Sequence, residues 1–418
     1  MQDKNLDNAI ASNKTYGDLD VQHAVFCRLR EEDPVHWTEP DGFEPFWTVS
    51  KHADVMEIER QQDRFLNAPR SKLFSIDFQR EILELMQGKT HLVRGLPQMD
   101  GLDHKAYRQL TQAWFQPKQV KQLEARIAAL AKRTVDDLVE KGPELDFYAD
   151  IAVWYPLRVI MLILGLPAAD ETRLLRITQA YFGGSDAEVQ KGSDLIKATQ
   201  DYIAYFDGVS EDRRRNPTDD VASVIANSQI DGRPIGHYEA SSYYIALASA
   251  GHDTTSGTAA GGLLALMQNP EQWRKLKADP SLVPLAVDEM VRWVSPVKHF
   301  FRTATEDYVL RGKDIKAGEH LMMCYPSANR DEDVFGDPFA FRVDRNPNRH
   351  VGFGFGAHVC LGMFMAKLEL QILFRELLSR VDSFELNGEP AWVETSFVGG
   401  LKRLPVRMHL EEAATAAA

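Results

Sequence analysis

The chain is short of cysteine, of long apolar runs and of positive charge, and each shortage excludes something. Cys27, Cys324 and Cys360 are its only cysteines. They are too few and too scattered for the disulfide framework of a small secreted scaffold, so a reducing, cytoplasmic setting is expected. No stretch approaches the ~18 consecutive apolar residues that span a bilayer. Met1 to Asp20 is polar, without the apolar core of a secretory signal, so no membrane partner is expected. Lys and Arg number 48 against 61 Asp and Glu, a net charge of −13, which is the wrong sign for a nucleic-acid partner. A G-x-G-x-x-G turn after a strand is also missing, so the chain carries no dinucleotide-binding fingerprint.

What is present suits one large core: 418 residues, 44% of them hydrophobic. The expected organisation is a polar N-terminal segment (1–20), a single domain (21–410) and a frayed tail (411–418). Apolar residues at helical spacing predict helices over 21–32, 51–60, 101–115 (capped near Asp103), 117–142, 155–165 and 237–267. Val35 to Trp37 and Phe46 to Val49 flank Pro40-Asp41-Gly42 as a hairpin, and 379–410 is strand-rich. Gly183-Gly184 suits a break between helices in the span 170–209. Arg213-Arg214-Arg215 reads as a solvated loop before Asn216-Pro217. The fold class is therefore mainly α with a small β-rich part.

The chemistry concentrates in Phe353-Gly354-Phe355-Gly356-Ala357-His358-Val359-Cys360-Leu361-Gly362. The apolar period of Leu361, Phe364, Leu368, Ile372 and Leu377 sets Cys360 at or just before a helix N-terminus, where free N–H groups favour an anion. A cysteine so placed is expected to have a depressed pKa and to serve as a thiolate metal ligand. Three neighbouring glycines let the backbone bend and approach a flat ligand closely. One thiolate in a tight loop suits an axial ligand to haem iron. A buried structural cysteine beside a glycine turn also fits these residues. Zinc would need about four ligands where His358-x-Cys360 supplies a pair, and the C-x-x-C-H of covalent haem is missing.

Other segments carry weaker signals. The apolar pattern over 237–267 has a small, polar middle, Ala250-Gly251-His252-Asp253-Thr254-Thr255. A membrane helix would not centre an Asp, so this is read as a buried axial helix. Glycine there, and a threonine hydroxyl turned onto a carbonyl one turn back, are expected to open the helical ladder and leave a small pocket. An N-cap-like Asp-Thr-Thr is the plainer alternative. His104 and Arg108 share a helix face. Glu289 and Arg292 form an i,i+3 pair crowded by Met290, Val291, Trp293 and Val294, which points to a buried pair needing full hydrogen bonding.

The loop 353–362 resembles, position for position, the F-G-x-G-x-[HR]-x-C-x-G loop of the cytochrome P450 haem-thiolate monooxygenases. The His104/Arg108, Ala250 to Thr254, Glu289/Arg292 and Arg345 motifs stand in family order before it, so the resemblance covers about Val35 to Leu410. It implies one α-rich domain with a small β-rich subdomain and a long central helix over haem b. Cys360 would be the iron ligand, with Phe353, Gly354, Gly362, Ala250 and Gly251 against the macrocycle. His104, Arg108, Arg302 and His358 would hold the propionates. Thr254 would stand at the dioxygen site and Asp253 would feed protons inward, so that the second oxygen leaves as water rather than peroxide. Glu289, Arg292 and Arg345 would lock the fold.

The resemblance further implies lid helices around Tyr181 to Gly184 and a substrate wall. Phe74, Ala246, Ala250, Val297, Phe300, Phe397 and Val398 are the candidate contacts. Lys298 and His299 are read as solvated or structural, with His299 also within reach of a substrate. The apolar character of these segments favours a compact hydrophobic substrate: a monoterpenoid, an alkylaromatic or a polycyclic arene. A steroid or fatty-acid hydroxylase is the alternative within the family, and a non-catalytic haem sensor the alternative outside it. Dioxygen is the co-substrate. Electrons are expected from a ferredoxin and its reductase, drawn by Lys105, Arg108, Lys118, Lys121 and Lys367 despite the net charge. A monomer is expected.

Overall fold

The computed structural model describes residues 3–182 and 195–411. The break at Gly183-Gly184, the side chains of Tyr181 and Phe182 and the tail past 411 lie outside the described residues. Helices dominate, and the sequence that builds the longest explains the architecture. His237–Gln268 runs for 32 residues, and most of them from Ala240 to Leu266 are buried, the exceptions being Ala246, Leu247, Ala250, Gly251, Asp253 and Thr254. A helix that is apolar or small all round belongs inside a core rather than on it. Trp154–Leu164, Leu195–Arg215 and Val283–Val294 pack around this central helix, and Met363–Arg380 packs against Pro117–Lys141. Gly261 and Gly262 set the approach of one neighbour. A Cβ on Gly261 would lie 2.6 Å from Val294 Cγ2, and one on Gly262 would lie 2.7 Å from Met290 Cγ.

The β-rich part is a five-stranded sheet in the order Val35–Thr38, Phe46–Val49, His320–Cys324, His299–Ala304, Phe65–Leu66. A three-stranded sheet joins Val381–Leu386, Pro405–Leu410 and Glu144–Asp146. Strand alternation matters most in His299–Ala304. Phe300 and Arg302 face a central cavity, while Phe301 enters a second cluster with Tyr16, Phe26 and Phe46.

That cluster also takes up Leu6 and Ile10. The N-terminal segment therefore forms helices, Lys4–Ala11 and Asn13–Gly17, whose sparse apolar residues leave little periodicity to see. The Arg213 to Arg215 run is likewise not a loop but the end of Leu195–Arg215. Arg213 donates to Asp220 Oδ2 at 2.8 Å and to the Gly165 carbonyl at 2.6 Å. It thereby ties down the left-handed Gly165, φ +66, that ends Trp154–Leu164. Asp103 is not a cap either. Asp100 precedes Gly101–Gln112, and its carboxylate accepts from the Asn67 and Ala68 N–H groups instead. Among the described residues no helix is long and apolar enough to cross a membrane.

Glu289 and Arg292 are fully buried and doubly bonded, Nε to Oε2 at 2.7 Å and Nη2 to Oε1 at 2.8 Å. Arg345 Nε reaches both carboxylate oxygens at 3.1 Å. The guanidiniums spend their other N–H groups on carbonyls of Asn329, Pro338, Gly336 and Asp337. One carboxylate thus fastens the Val283–Val294 helix to the chain leading into the Cys360 loop.

Candidate active site

The central helix and the Cys360 loop enclose a cavity of about 260 Å³. On the loop side the backbone is fixed first. The Cys360 N–H donates to the Phe353 carbonyl at 2.8 Å, and the Gly354 N–H to that of Val351 at 2.9 Å. Gly354 and Gly356 adopt φ of +69 and +70, a region open to glycine. A Cβ on Gly356 would also fall 2.3 Å from the Glu59 carbonyl. Gly362 has φ −85 and serves as N-cap of Met363–Arg380, so the third glycine is not needed for a left-handed turn.

Cys360 lines the cavity and is exposed to it. Burial pushes its pKa up, while the Gly362 N–H, Arg108 and the Met363 N–H pull against that shift. The helix-end amides are present as the sequence indicates, yet apolar surroundings outweigh them. A metal cation on the sulfur would reverse the balance.

One corner of the cavity gathers cations. Arg108 donates to the Val359 carbonyl at 2.8 Å, and Arg302 to Glu59 Oε1 at 2.7 Å. The rings of His104 and His358 lie 3.9 Å apart. Burial, with Arg108 adding to it, holds His104 down at about 4. Burial, His104 and the two arginines hold His358 at about 2. His104 Nε2 and Glu59 Oε2 are buried without a hydrogen-bond partner. Two arginines, two neutral imidazoles and an unpaired ring nitrogen suit the carboxylates of a bound anion. Arg108 is therefore an inward residue. Lys105, Lys118 and Lys121 remain exposed, and Lys367 pairs with Asp288 at 2.5 Å.

Across the cavity stand Ala250, Gly251 and Thr254. The helix does not open there: His237–Gln268 is continuous, and Thr254 Oγ1 donates to the Ala250 carbonyl at 2.8 Å within an intact ladder. Small side chains make the space instead. A Cβ on Gly251 would sit 3.2 Å from Ile160 Cδ1. Asp253 lies beside Thr254 but does not line the cavity. Its Oδ1 is 3.5 Å from His252 Nδ1, and its Oδ2 is buried and unpaired.

Of the expected substrate wall, Ala246, Ala250, Val297 and Phe300 line the cavity, and Phe74, Phe397 and Val398 do not. Phe74 packs on Phe78, with ring centroids 5.1 Å apart. Phe397 stands behind Phe300 at 5.4 Å, and Val398 pairs with Val297 in a β-bridge. Both support the wall from outside. Lys298 and His299 are buried, which agrees with the structural alternative and not the solvated one. Lys298 donates to the Val294 and Ser295 carbonyls at 3.2 and 3.0 Å, and burial brings it down to about 7. His299 spends Nδ1 on the Ser396 carbonyl at 2.7 Å and Nε2 on the Leu73 N–H at 3.0 Å, so no ring nitrogen is left for a substrate.

Several lining residues gave no alert in the sequence. Glu59 ends an ordinary amphipathic helix, yet is buried against Arg302 and Tyr325. Glu369 accepts from Thr255 at 3.2 Å, and burial pushes its carboxyl well above the usual range. Its position between Leu368 and Leu370, on a helix expected to be apolar, was a readable signal.

Residues 171–400 match the family model described as Cytochrome P450. The chain is 44% identical over 404 residues to Cytochrome P450-terp of a Pseudomonas species, covering 94% of each. It is 33% identical over 387 residues to linalool 8-monooxygenase of Pseudomonas putida, covering 92% of this chain and 95% of that one. A cytochrome P450 crystal structure from Novosphingobium aromaticivorans superposes with a TM-score of 0.92 at 42% identity, over 98% of this chain and 100% of that chain.

Proposed function

The chain belongs to the cytochrome P450 family, and from that premise we propose that it hydroxylates a compact hydrophobic molecule with dioxygen and with electrons brought by a ferredoxin and its reductase. The substrate class is a monoterpenoid or an alkyl-substituted or polycyclic arene. The observation that carries this reading is the wall facing Cys360. Leu96, Pro97, Ala246, Leu247, Val297 and Phe300 present carbon, and the Tyr243 hydroxyl is already engaged with Thr111 at 2.7 Å. Such a pocket binds by apolar area rather than by polar recognition. The relative named linalool 8-monooxygenase, whose named substrate is a monoterpenoid, supports the same class.

Haem, when bound, supplies the dioxygen chemistry that puts one oxygen atom into an unactivated C–H bond while the other leaves as water. The residues present fit it: the Cys360 sulfur for the iron, and Arg108, Arg302, His104 and His358 for its carboxylates, with the unpaired His104 Nε2 a donor in waiting. The chain's own residues do the rest. Leu247, Val297 and Phe300 exclude water and hold a C–H bond toward the Cys360 side. The Thr254 hydroxyl can exchange its one-turn-back bond to Ala250 for one into the cavity by a χ1 rotation. Asp253, behind it, supplies protons by way of that hydroxyl.

The test is a ferrous–carbon monoxide difference spectrum, then spin-shift titration with terpenoids, arenes, steroids and fatty acids, and product analysis with ferredoxin, its reductase and NADH. Spin shifts with terpenoids or arenes and a hydroxylated product are expected. Shifts confined to steroids or fatty acids would overturn the substrate class. A carbon monoxide band without turnover would make the chain a ligand-binding haem protein. Charge reversal at the exposed Lys105 and Lys121 should slow electron transfer in a salt-dependent way, and unchanged rates would remove the docking face.

A further inference from the structure

His252 is fully buried in the middle of the central helix, where neighbouring positions carry small side chains. Its Nε2 lies 2.7 Å from the Val153 carbonyl. A carbonyl can only accept, so Nε2 carries the hydrogen, and in the neutral ring Nδ1 must be the lone-pair nitrogen. That nitrogen has no hydrogen-bond partner and faces Asp253 Oδ1 at 3.5 Å. A lone pair set against a bare carboxylate in a buried place is repulsive, and a proton between the two removes the repulsion. The separation is just beyond hydrogen-bond length, and a small χ rotation of Asp253 closes it. Among the described residues no Lys or Arg is paired with Asp253. The Asp253 charge is also felt at Tyr148, whose phenol is pushed up by burial and then by that carboxylate.

We propose that His252 is a positioning residue for proton delivery: Nδ1 and Asp253 Oδ1 share one proton, which keeps Asp253 loaded beside Thr254. The inference rests on the monooxygenase reading. When Asp253 gives its proton toward the Thr254 hydroxyl, the carboxylate left behind faces the His252 lone pair. That unfavourable state drives uptake of a replacement from solvent through the partly exposed edge of Asp253, whose side chain is 16% accessible against 0% for His252. One proton leaves and one enters, and no bond to carbon or oxygen other than O–H changes.

The pairing is tested without turnover by ¹⁵N NMR of the histidine rings in the diamagnetic ferrous–carbon monoxide holoenzyme. The His252 signals should show an Nε2–H tautomer with a hydrogen-bonded Nδ1, and Asp253→Ala should move Nδ1 to the value of a free lone pair. The delivery role is tested with His252→Gln, which retains a donor for the Val153 carbonyl and so keeps the helix contact. It should raise the peroxide share of reduced oxygen by about tenfold, less than the ~100-fold or more that a direct proton donor contributes, with substrate spin shift and KM unchanged. An Nδ1 signal indifferent to Asp253→Ala, or His252→Gln coupling as tightly as the parent, would overturn the proposal. A parent enzyme that makes no oxygenated product would sink the monooxygenase reading, while the NMR arm would still decide the pairing.

Discussion

Replacing Glu289 by glutamine changes one atom type in the most connected polar cluster of the protein. The carboxylate is fully buried and accepts from Arg292 Nε and Nη2, from Arg345 Nε, from the Arg342 N–H at 2.9 Å and from Asn348 Nδ2 at 3.1 Å. Every partner is a donor. Glutamine keeps one acceptor oxygen and turns the other into an NH₂ group pointed at those donors, and it leaves the Arg292 and Arg345 guanidiniums buried without a counter-charge. Breaking a buried pair by removing one partner costs about 3–5 kcal/mol, and two stranded cations argue for the upper end. Against a typical total stability of about 5–15 kcal/mol, that removes a third or more of the stability and raises the unfolded fraction available to aggregation and proteolysis. The expected result is Glu289→Gln found largely in the insoluble fraction, without a ferrous–carbon monoxide band, while Arg342→Ala, whose exposed side chain only approaches Asp344 at 3.8 Å, behaves like the parent. Soluble Glu289→Gln with an unchanged urea midpoint would refute the reasoning.

Thr254→Ala removes the hydroxyl between Asp253 and the cavity, and NADH consumption should continue with peroxide replacing product; full coupling, read by oxygen and product balance, would contradict the proton role. In the helix contact, Gly261→Ala should lower stability by about 1–3 kcal/mol of overpacking, because the new methyl meets the branched, stiff Val294 at 2.6 Å. Gly262→Ala should also destabilise, since its methyl would meet buried Met290 at Cγ (2.7 Å) and Cβ (3.2 Å), near the root of that side chain; thermal midpoints of both variants check this. Burial lowers His299 from 6.5 to about 3, so between those pH values the unfolded chain takes up a proton that the native site refuses. Stability therefore falls on acidification across that window, by about 1.4 kcal/mol per pH unit from this one group. His299→Gln should flatten the acid limb of a urea-midpoint profile, and an identical limb would remove His299 as its cause.

Much of this site is legible in the amino-acid sequence, for a specific reason. Cys360, the glycines of its turn and the Ala250 to Thr254 segment are local in sequence, and their chemistry depends on near neighbours. Glu289 and Arg292 announced burial through the apolar residues crowding them. What escaped depends on contacts across long separations. Glu59 looks solvated until Arg302 and Tyr325 meet it from distant strands and turns. Lys298 and His299 are polar letters whose partners, the end of one helix and the Ser396 carbonyl, come only with the tertiary fold. Arg213 joined a charged run that reads as loop, because its acceptor Gly165 lies far back in the chain. The Cys360 thiol is pulled both ways: its local amides are as expected and favour the thiolate, joined by Arg108 from a distant helix, while burial opposes them.

Phe300 and Arg302 face the cavity from alternate positions of one strand, held in register by Met323 and Leu321 on its neighbour. Two residues of strand measure about 7 Å, so this pair works as a ruler between the apolar wall and the cationic corner. A residue inserted between them would turn one of the two side chains to the opposite face and lose either grip on the substrate or grip on the anion. Laboratory evolution of this pocket should therefore accept many side chains at 300 and no change of length from 299 to 303, and selections that scan insertions along the chain would see that segment as a silent gap.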